Sequence, residues 1–417
     1  MRELWAVIAN EWMKLLRRRR FYITGLLSLL ILAIYGMSEY HSHQNYVKYS
    51  NFNHNQQMQI SSIEQQITQV KQSNDPHKSD MIANLRQQLS QIQETLKQNA
   101  ELQGPNWRHA VQKEIDTDKQ NIASIEKQPT TSDIAKMRNQ SEIAGQHAEI
   151  AKLQYNLDHN VKPLPNGTSN PYSETINFFS IASMIFFPMV MVILVSDMIA
   201  GESTSGTIKL LLVRPVSRAK ILLGKWIVSI ASGALWTILL CAAIQAISMA
   251  VWGATGSAQP ILTGVSYSFA NVIDTSSATN GAMPQIIPIA HYDHAVILPE
   301  WTFFVYASLL MVLAMVVVAT ITFLFSTLFR SAMASTATAM GIVVIGFVIT
   351  KMASHASWLR WVFATHLDLA QNWTGGLSLE IKQNITLDMG ILVLCIWGVV
   401  SLCVSLFVFA KRDILNA

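Results

Sequence analysis

The sequence predicts an all-α, polytopic membrane protein with six transmembrane helices and a helical, coiled-coil-like extracellular insert between the first two. Hydrophobic residues make up 51% of the 417 residues and charged residues only 13%, a balance that soluble globular domains do not have. Six uncharged apolar runs are long enough to cross about 30 Å of hydrocarbon. A glutamine-rich, charged stretch with helical periodicity separates the first two runs.

The N-terminal segment 1–20 predicts a cytoplasmic amphipathic helix at the membrane interface. Its apolar residues recur at helical spacing, at Leu4, Trp5, Ile8, Trp12, Leu15 and Leu16. The alternative is a cytoplasmic extension of the first span. The run Arg18-Arg19-Arg20-Phe21 also resembles a twin-arginine export signal. No small-residue cleavage site follows Tyr35, and five further spans follow, so we reject that interpretation.

The six predicted spans are 21–37, 176–195, 226–252, 301–328, 332–350 and 389–410. Lys and Arg are enriched on the cytoplasmic flanks of spans. Here they gather at Lys14, Arg17 to Arg20, Lys209, Arg214, Arg218, Lys220, Lys225, Arg330, Lys411 and Arg412. We therefore expect both termini to lie in the cytoplasm. We also expect the membrane to be a bacterial plasma membrane. Segment 196–225 is then a cytoplasmic loop and 411–417 a cytoplasmic tail, while 38–175, 253–300 and 351–388 face outward.

The insert within 38–175 predicts three or four antiparallel helices. Apolar residues recur every three or four positions in four stripes, as in a coiled coil. The stripes run from Ile60 to Val70, Ile82 to Leu96, Val111 to Ile125 and Ile143 to Leu157. Breaks at Asn74-Asp75-Pro76, Gly104-Pro105 and Pro129 separate them, with Ser79 or Asp80 and Ser132 or Asp133 as helix caps. The insert is either a ligand-binding or partner-docking module, or simply a helical bundle with an apolar core.

The sequence predicts no metal site and no cofactor in this chain. The three cysteines, Cys241, Cys395 and Cys403, lie in apolar runs, where they are expected to act as small buried hydrophobes. The histidines fit no structural zinc spacing, either as His41, His43 and His54 or as His291 and His294 with Asp293. No nucleic-acid partner is indicated.

The cytoplasmic loop begins with a spacing close to that of a nucleotide-binding loop. Gly201 and Gly206 have the glycine spacing, but Thr207 stands where the phosphate-binding lysine is needed, and a span rather than a β-strand precedes it. Residues 207–213 instead predict two helical turns with Ile208, Leu211 and Leu212 on one face. Arg214-Pro215 ends this short helix, and Ser217 is placed to cap the next one. The alternative is a plain basic loop.

This loop resembles the signature of ABC-2-type transporter permeases. The matching residues are Glu202, Gly206-Thr207, Leu210-Leu211-Leu212, Arg214-Pro215-Val216-Ser217-Arg218 and Ile221-Leu222-Leu223-Gly224-Lys225. Glu11, Lys14, Leu15 and the arginines before Phe21 are similar to the start of such permeases, as is the turn Phe325 to Ser331 between the fourth and fifth spans. The large insert lies outside the resemblance.

The resemblance implies a transporter subunit without its own ATPase site, paired with a separate ATPase subunit that binds ATP and Mg. The loop would be its coupling helix. The residues implied in ATPase coupling are Glu202, Thr207, Lys209, Leu211, Leu212, Arg214, Pro215, Ser217 and Arg218. Those implied in the interface helix are Trp5, Trp12, Leu15 and Arg17. A second permease subunit would complete a homodimer or heterodimer that exports hydrophobic, lipid-like, peptide or antibiotic cargo.

Two other functions stay open at the level of sequence. The outer insert could bind a ligand in a membrane sensor or scaffold that signals or confers resistance. A secondary transporter is disfavoured, because the spans carry almost no ionisable residues. Segment 351–388, rich in tryptophan, is interpreted as a re-entrant hairpin, with interfacial anchoring as the alternative.

Overall fold

The computed structural model describes residues 2–49, 52–72, 77–130, 133–165, 168–207, 217–273, 284–352 and 356–411. In these residues the fold is mostly helical. The helices are α1 Arg2–Arg17, α2 Arg19–Tyr49, α3 Phe52–Gln72, α4 Lys78–Gln103, α5 Trp107–Glu126, α6 Asp133–Asp158, α7 Pro171–Ala182, α8 Phe186–Val195, α9 Ala200–Thr204, α10 Arg218–Trp252, α11 Glu300–Leu328, α12 Ala332–Met352, α13 Leu369–Thr374, α14 Gly376–Ile381 and α15 Leu387–Lys411.

Five of the described helices are long and apolar enough to cross a membrane: α2, α10, α11, α12 and α15. The bent pair α7 and α8 makes a sixth candidate span if the two count as one. Helix α11 is central to this bundle, because it packs against α8, α10, α12 and α15. The largest apolar cluster of the described residues joins Phe187 of α8, Leu240 of α10 and Met315 of α11. The protein is thus a multi-pass membrane protein, as composition predicted.

The second predicted span, 176–195, is broken rather than continuous. Helix α7 ends at Ala182, α8 begins at Phe186, and the two axes differ by 56°. Pro188 supplies the physical reason. It has no N–H to donate to the carbonyl of residue 184, and its ring collides with that carbonyl in a regular helix.

Among the described residues of 253–300, four β-strands correct the predicted all-α fold and the prediction that this segment is a loop. Strand β1, Pro260–Thr263, pairs antiparallel with β4, Val296–Pro299, and β2, Ser266–Ile273, pairs antiparallel with β3, Pro284–His291. Polar and aromatic residues alternate from Ser266 to Phe269, which is the period of a strand. Gly264, at a φ of +77°, separates β1 from β2, and an added Cβ would collide with the carbonyl of His294.

The insert forms the four helices α3 to α6, the upper number that the stripes predicted. Helices α3 and α4 pack together, as do α5 and α6, and α4 contacts α5. Val111, Ile115, Ile150 and Leu153 are buried between α5 and α6. The expected cap at Ser79 or Asp80 is wrong, because α4 begins at Lys78, one residue earlier. Of the breaks, Asn74-Asp75-Pro76 lies outside the described residues, Gly104 follows the end of α4, and Pro129 lies in the coil after α5. The other candidate cap, Ser132, also lies outside the described residues.

Short helical pieces connect α12 to α15. They are two 3-10 turns, Ser357–Trp361 and Phe363–His366, followed by α13 and α14. Phe363 and Leu367 join the main apolar core of the bundle. Irregular backbone at membrane depth is tolerated only where protein or a water-filled cavity surrounds it. Residues 363–370 are buried by protein and meet that condition, whereas Trp358 and Trp361 are more than half exposed. The re-entrant placement of this segment stays a prediction.

The insert and the strands lie together at one end of the bundle. Gln259 Nε2 donates to the carbonyl of Lys162 at 2.8 Å, and the Gly264 N–H donates to the carbonyl of Trp373 at 2.7 Å. The opposite end, named the base here, comprises α1, residues 196–207, the first turns of α10 and the turn 328–332. Of the Lys and Arg residues clustered beside the spans, the described ones Lys14, Arg17 to Arg20, Arg218, Lys220, Lys225 and Arg330 share the base.

Candidate functional site

Helix α1 lies against the first turns of α10. Its apolar side packs Ile8, Trp12 and Leu15 into a cluster with Leu222 and Val228 of α10. The close approach depends on a glycine: a Cβ added to Gly224 would lie 2.6 Å from Cγ1 of Val7, far inside van der Waals contact. The amphipathic pattern of the N-terminus thus serves a protein interface as well as any membrane surface.

A buried ion cluster joins α1, α9 and α10 at this contact. The Lys225 side chain is 1% exposed, and its Nζ lies 2.6 Å from Oε2 of Glu11 and 2.8 Å from Oε1 of Glu202. Lys14 completes the cluster, with Nζ 2.9 Å from Glu11 Oε1 and 3.2 Å from Glu202 Oε1. Two ammonium groups therefore face two carboxylates. Because each charge has opposite neighbours, enclosure from water is tolerable here.

The pKa values agree with this pairing. Burial by itself would raise the pKa of the Glu11 carboxyl, but Lys225 and Lys14 outweigh burial and hold that pKa below its ordinary value of 4.5. Burial would likewise lower the pKa of the Lys14 ammonium, but Glu11 and Glu202 raise it above 10.5. Both groups therefore remain charged at neutral pH, which keeps the carboxylate of Glu11 and the ammonium of Lys14 paired.

A second ionic contact fixes the start of α2 beside the loop. Asp197 Oδ1 accepts a hydrogen bond from Arg18 Nη1 at 3.0 Å, and its Oδ2 lies 3.4 Å from Nε of Arg20. Arg20 also donates to Ser196 Oγ at 3.1 Å and to Thr336 Oγ1 at 3.0 Å. Two of the four consecutive arginines thus bind within the protein instead of serving only as a charge signal.

Hydrogen bonds tie the loop to the turn between α11 and α12. Ser326 Oγ accepts from the N–H groups of Ile199 and Ala200 at 2.9 and 3.1 Å. Thr204 Oγ1 donates to the carbonyl of Arg330 at 3.2 Å and accepts from the N–H of Ala332 at 3.0 Å. The base therefore brings together the N-terminus, the loop and the turn, three stretches that are distant in sequence.

Comparison with known proteins gives the family of this chain. The family model described as ABC-2 family transporter protein matches residues 5–414. The chain belongs to the ABC-2 transporter family. This family lacks an ATPase domain, so the chain is a membrane component of a transporter that works with an ATPase partner. It is also similar to the uncharacterized protein YhcI of Bacillus subtilis (strain 168), with 24% identity over 273 residues that cover 65% of this chain and 77% of that protein.

The structure distributes the ABC-2 signature residues between the inside and the surface of the base. Glu202 is buried, at 6% exposed, while Thr207 is exposed beside it, with its hydroxyl 2.9 Å from that of Ser205. Ser217 is the N-cap residue of α10, as its position predicted, but its side chain makes no capping hydrogen bond. Arg218 donates to the carbonyl of Ala410 at 3.3 Å, at the end of α15. The other residues implied in ATPase coupling, Lys209, Leu211, Leu212, Arg214 and Pro215, lie outside the described residues.

The predicted interface-helix residues also divide between two environments. Leu15 is buried and Trp12 is half-buried, both in the apolar cluster with α10 of this ABC-2 protein, whereas Trp5 and Arg17 are exposed. Trp5 is 69% exposed, which suits a tryptophan at a membrane surface. Sequence reasoning missed the pairing of Glu11 with Lys225. The available signal was a carboxylate between Ile8, Trp12 and Leu15 on the apolar side of a helix, where an unpaired charge would be costly.

Proposed function

We propose that this chain is the transmembrane permease subunit of an ABC exporter. The loop 208–216 projects into the cytoplasm, where a separate ATPase subunit holds it, and ATP and Mg bind to that subunit. The observation that carries the proposal is the convergence of the signature residues Glu202 and Lys225 with Glu11 in one buried cluster. This cluster connects the two ends of the loop to each other and to α1, so it can transmit a force on the loop to these helices.

The ion cluster explains how motion of the loop would reach the membrane bundle. Glu202 lies just before the loop, in α9, and Lys225 lies just after it, in the first turns of α10. The ion pair between them therefore holds the two ends of the loop together. Glu11 couples α1 to the same lysine, and Ser326 couples the segment before α9 to α11. A displacement of the loop by the ATPase therefore moves α1, α10 and α11 as one unit rather than bending the loop alone.

The predicted roles of the site residues are divided accordingly. Thr207, Lys209, Leu211, Leu212, Arg214 and Pro215, with Ser217 and Arg218 at the following helix start, form the ATPase contact. Glu202 positions that contact from inside the base. Charge complementarity by Lys209 and Arg214 favours an acidic surface on the ATPase. Trp5, Trp12, Leu15 and Arg17 of α1 form the interface helix beside it.

The complete transporter contains two permease subunits, as a homodimer or with a related partner. Both termini and the base face the cytoplasm, and the insert faces outward. Lys and Arg clustered at the base support this orientation through the bias of cytoplasmic flanks. The cargo is hydrophobic, lipid-like, a peptide or an antibiotic, because Val, Ile, Leu, Met and Ala dominate the spans.

The test purifies the chain with the ABC ATPase that copurifies with it from its own cells and measures ATP hydrolysis by the reconstituted complex. We expect Leu211→Asp and Arg214→Glu each to reduce hydrolysis by about tenfold, roughly 1.4 kcal/mol of lost coupling. Arg86→Glu makes the same charge reversal on the exposed surface of α4 and should leave hydrolysis unchanged. Unchanged hydrolysis in both loop variants would contradict the proposal.

A sensor or scaffold is the outcome that would replace this function. It requires ligand binding to the full-length chain without ATP-dependent movement of any cargo across vesicles. ATP-dependent movement that stops in the Arg214→Glu variant excludes it. Movement driven by an ion gradient alone would instead indicate a secondary transporter.

A further inference from the structure

The insert contains a pocket between α4 and α5 with a volume of about 180 Å³. Asn99, which is 5% exposed, forms its floor. Glu114 and Asp118, one helical turn apart on α5, stand at its rim. None of these three residues takes part in the base or in the membrane bundle.

The floor of this pocket lacks a hydrogen-bond donor. Oδ1 of Asn99 is buried and has no hydrogen-bond partner among the described residues. A buried acceptor left without a partner costs roughly 1–3 kcal/mol. A ligand that places an N–H group over Asn99 would recover that energy.

The rim lacks a cation. Three carboxylates and one ammonium line the pocket, and the ammonium, Lys113, lies 3.9 Å from Glu101 rather than beside the other two. No ion pair to Glu114 or Asp118 occurs among the described residues. Burial, then Asp118 and Glu149, raises the pKa of Glu114, and burial, then Glu149, raises the pKa of Asp118. These carboxylates are therefore in an environment that a positive charge would stabilise.

The hydroxyl groups of the pocket add acceptors rather than donors. Thr95 and Thr117 each donate their hydrogen to a backbone carbonyl of their own helix at 2.9 Å, to Gln91 and Lys113 respectively. Their oxygen lone pairs remain available to a ligand. These two hydroxyl groups, Oδ1 of Asn99 and the carboxylates of Glu114 and Asp118 thus supply acceptors and negative charge to the pocket.

We propose that this pocket binds a small organic cation through an N–H donor group, either a guanidinium or a primary ammonium. The charged group lies between Glu114 and Asp118 and donates to Oδ1 of Asn99. The volume has room for several water-sized groups and so for this head and its first carbon atoms. The proposal concerns the insert alone and does not rest on the proposed transport function.

The test measures binding of methylguanidinium to the purified full-length chain in detergent by isothermal titration calorimetry, with methylurea as the neutral isostere. We expect methylguanidinium to bind and methylurea not to bind. n-Butylammonium, with n-butanol as its neutral match, tests the other donor group. The stronger of the two cations identifies the class of head that the pocket prefers.

Three variants assign the binding to the pocket. The double variant Glu114→Gln, Asp118→Asn should weaken binding of the preferred cation by at least about tenfold, or 1.4 kcal/mol. Asn99→Leu removes the buried acceptor without adding a polar group and should also weaken binding. Asp116→Asn makes one of the same charge changes on the exposed side of α5, outside the pocket, and should change affinity by less than about twofold.

Several results would overturn the proposal. They are equal binding of methylurea and methylguanidinium, unchanged affinity in the double variant, and absence of binding by both cations. Circular dichroism of each variant shows whether the insert remains helical. If Asn99→Leu unfolds, the double variant alone decides, because its substitutions lie at the rim and preserve side-chain size.

Discussion

At the scale of single residues, Lys225 is the side chain on which the base depends most. Its ammonium group is enclosed by protein and lies within 2.8 Å of carboxylate oxygens from two other segments. Removal of one partner from a buried charge cluster costs more than removal of the whole cluster, because the remaining charges stay unpaired. This asymmetry gives a direct test.

The substitution Lys225→Met should lower the thermal unfolding midpoint strongly, since Glu11 and Glu202 would keep only Lys14 for two carboxylates. Comparable losses amount to roughly 3–5 kcal/mol. The triple variant Lys225→Met, Glu11→Gln, Glu202→Gln should recover most of the midpoint. Lys220→Met is the control, because Lys220 pairs with Glu3 on the surface and such pairs contribute little. A loss in the control as large as in Lys225→Met would contradict the account.

The dependence of stability on pH supplies a second residue-scale prediction. Because the pKa of folded Glu11 lies below its ordinary 4.5, its charge stabilises the protein above that pH, and the stabilisation is lost as pH falls through the folded pKa. The unfolding midpoint of the wild type minus that of Glu11→Gln should thus be constant near neutral pH and shrink below about pH 4.5. Glu3→Gln is the control: Lys220 also lowers the pKa of Glu3, but this pair lies on the exposed surface, so its difference should be much smaller. A difference that grows on acidification would refute the assigned pairing.

At the scale of elements, the contact of α1 with α10 depends on Gly224. Gly224→Ala should destabilise the protein although alanine favours helices over glycine by about 1 kcal/mol, because its Cβ displaces Val7 and separates the helices. Gly341→Ala is the matched control on α12, since no atom lies within 4 Å of its added Cβ. Limited trypsin digestion should cleave Gly224→Ala faster after Arg17 and leave Gly341→Ala like the wild type. Equal cleavage in the two variants would contradict this packing.

The sequence was informative about elements whose signal is local and long. The stripes of the insert predicted α3 to α6, because a helix repeats its apolar face every three or four residues. The strands were missed because their alternation is short, as in Ser266 to Phe269, and lies among glycines and serines. The break before α8 was missed because Pro188 stands in an apolar run, where composition alone suggests one continuous span.

The candidate site was predictable only in part. The signature pattern located Glu202 and Lys225, but no local pattern shows that they meet Glu11, which lies 214 positions from Lys225. Such a pairing is a product of tertiary packing, so periodicity cannot reveal it. The loop residues 208–216 remain outside the described structure, and their role in ATPase contact stays a prediction.

At the scale of the whole molecule, the protein has two chemically different ends. The base concentrates ion pairs that join α1, α9 and α10, while the opposite end carries the insert, the strands and the pieces between α12 and α15. Lys351 is paired with Glu380 at that opposite end. The proposed ATPase would thus act at the base, and the proposed cation would bind at the opposite end of the bundle.

The most direct measurement of the central claim is the side of the membrane on which the base lies. The three native cysteines are replaced by alanine, and single cysteines are introduced as Thr207→Cys at the base and Ser90→Cys on the exposed surface of α4. Cells are treated with a membrane-impermeant maleimide before and after permeabilisation. We expect Ser90→Cys to react in intact cells and Thr207→Cys to react only after permeabilisation. Labelling of Thr207→Cys in intact cells would place the base outside and contradict its contact with a cytoplasmic ATPase.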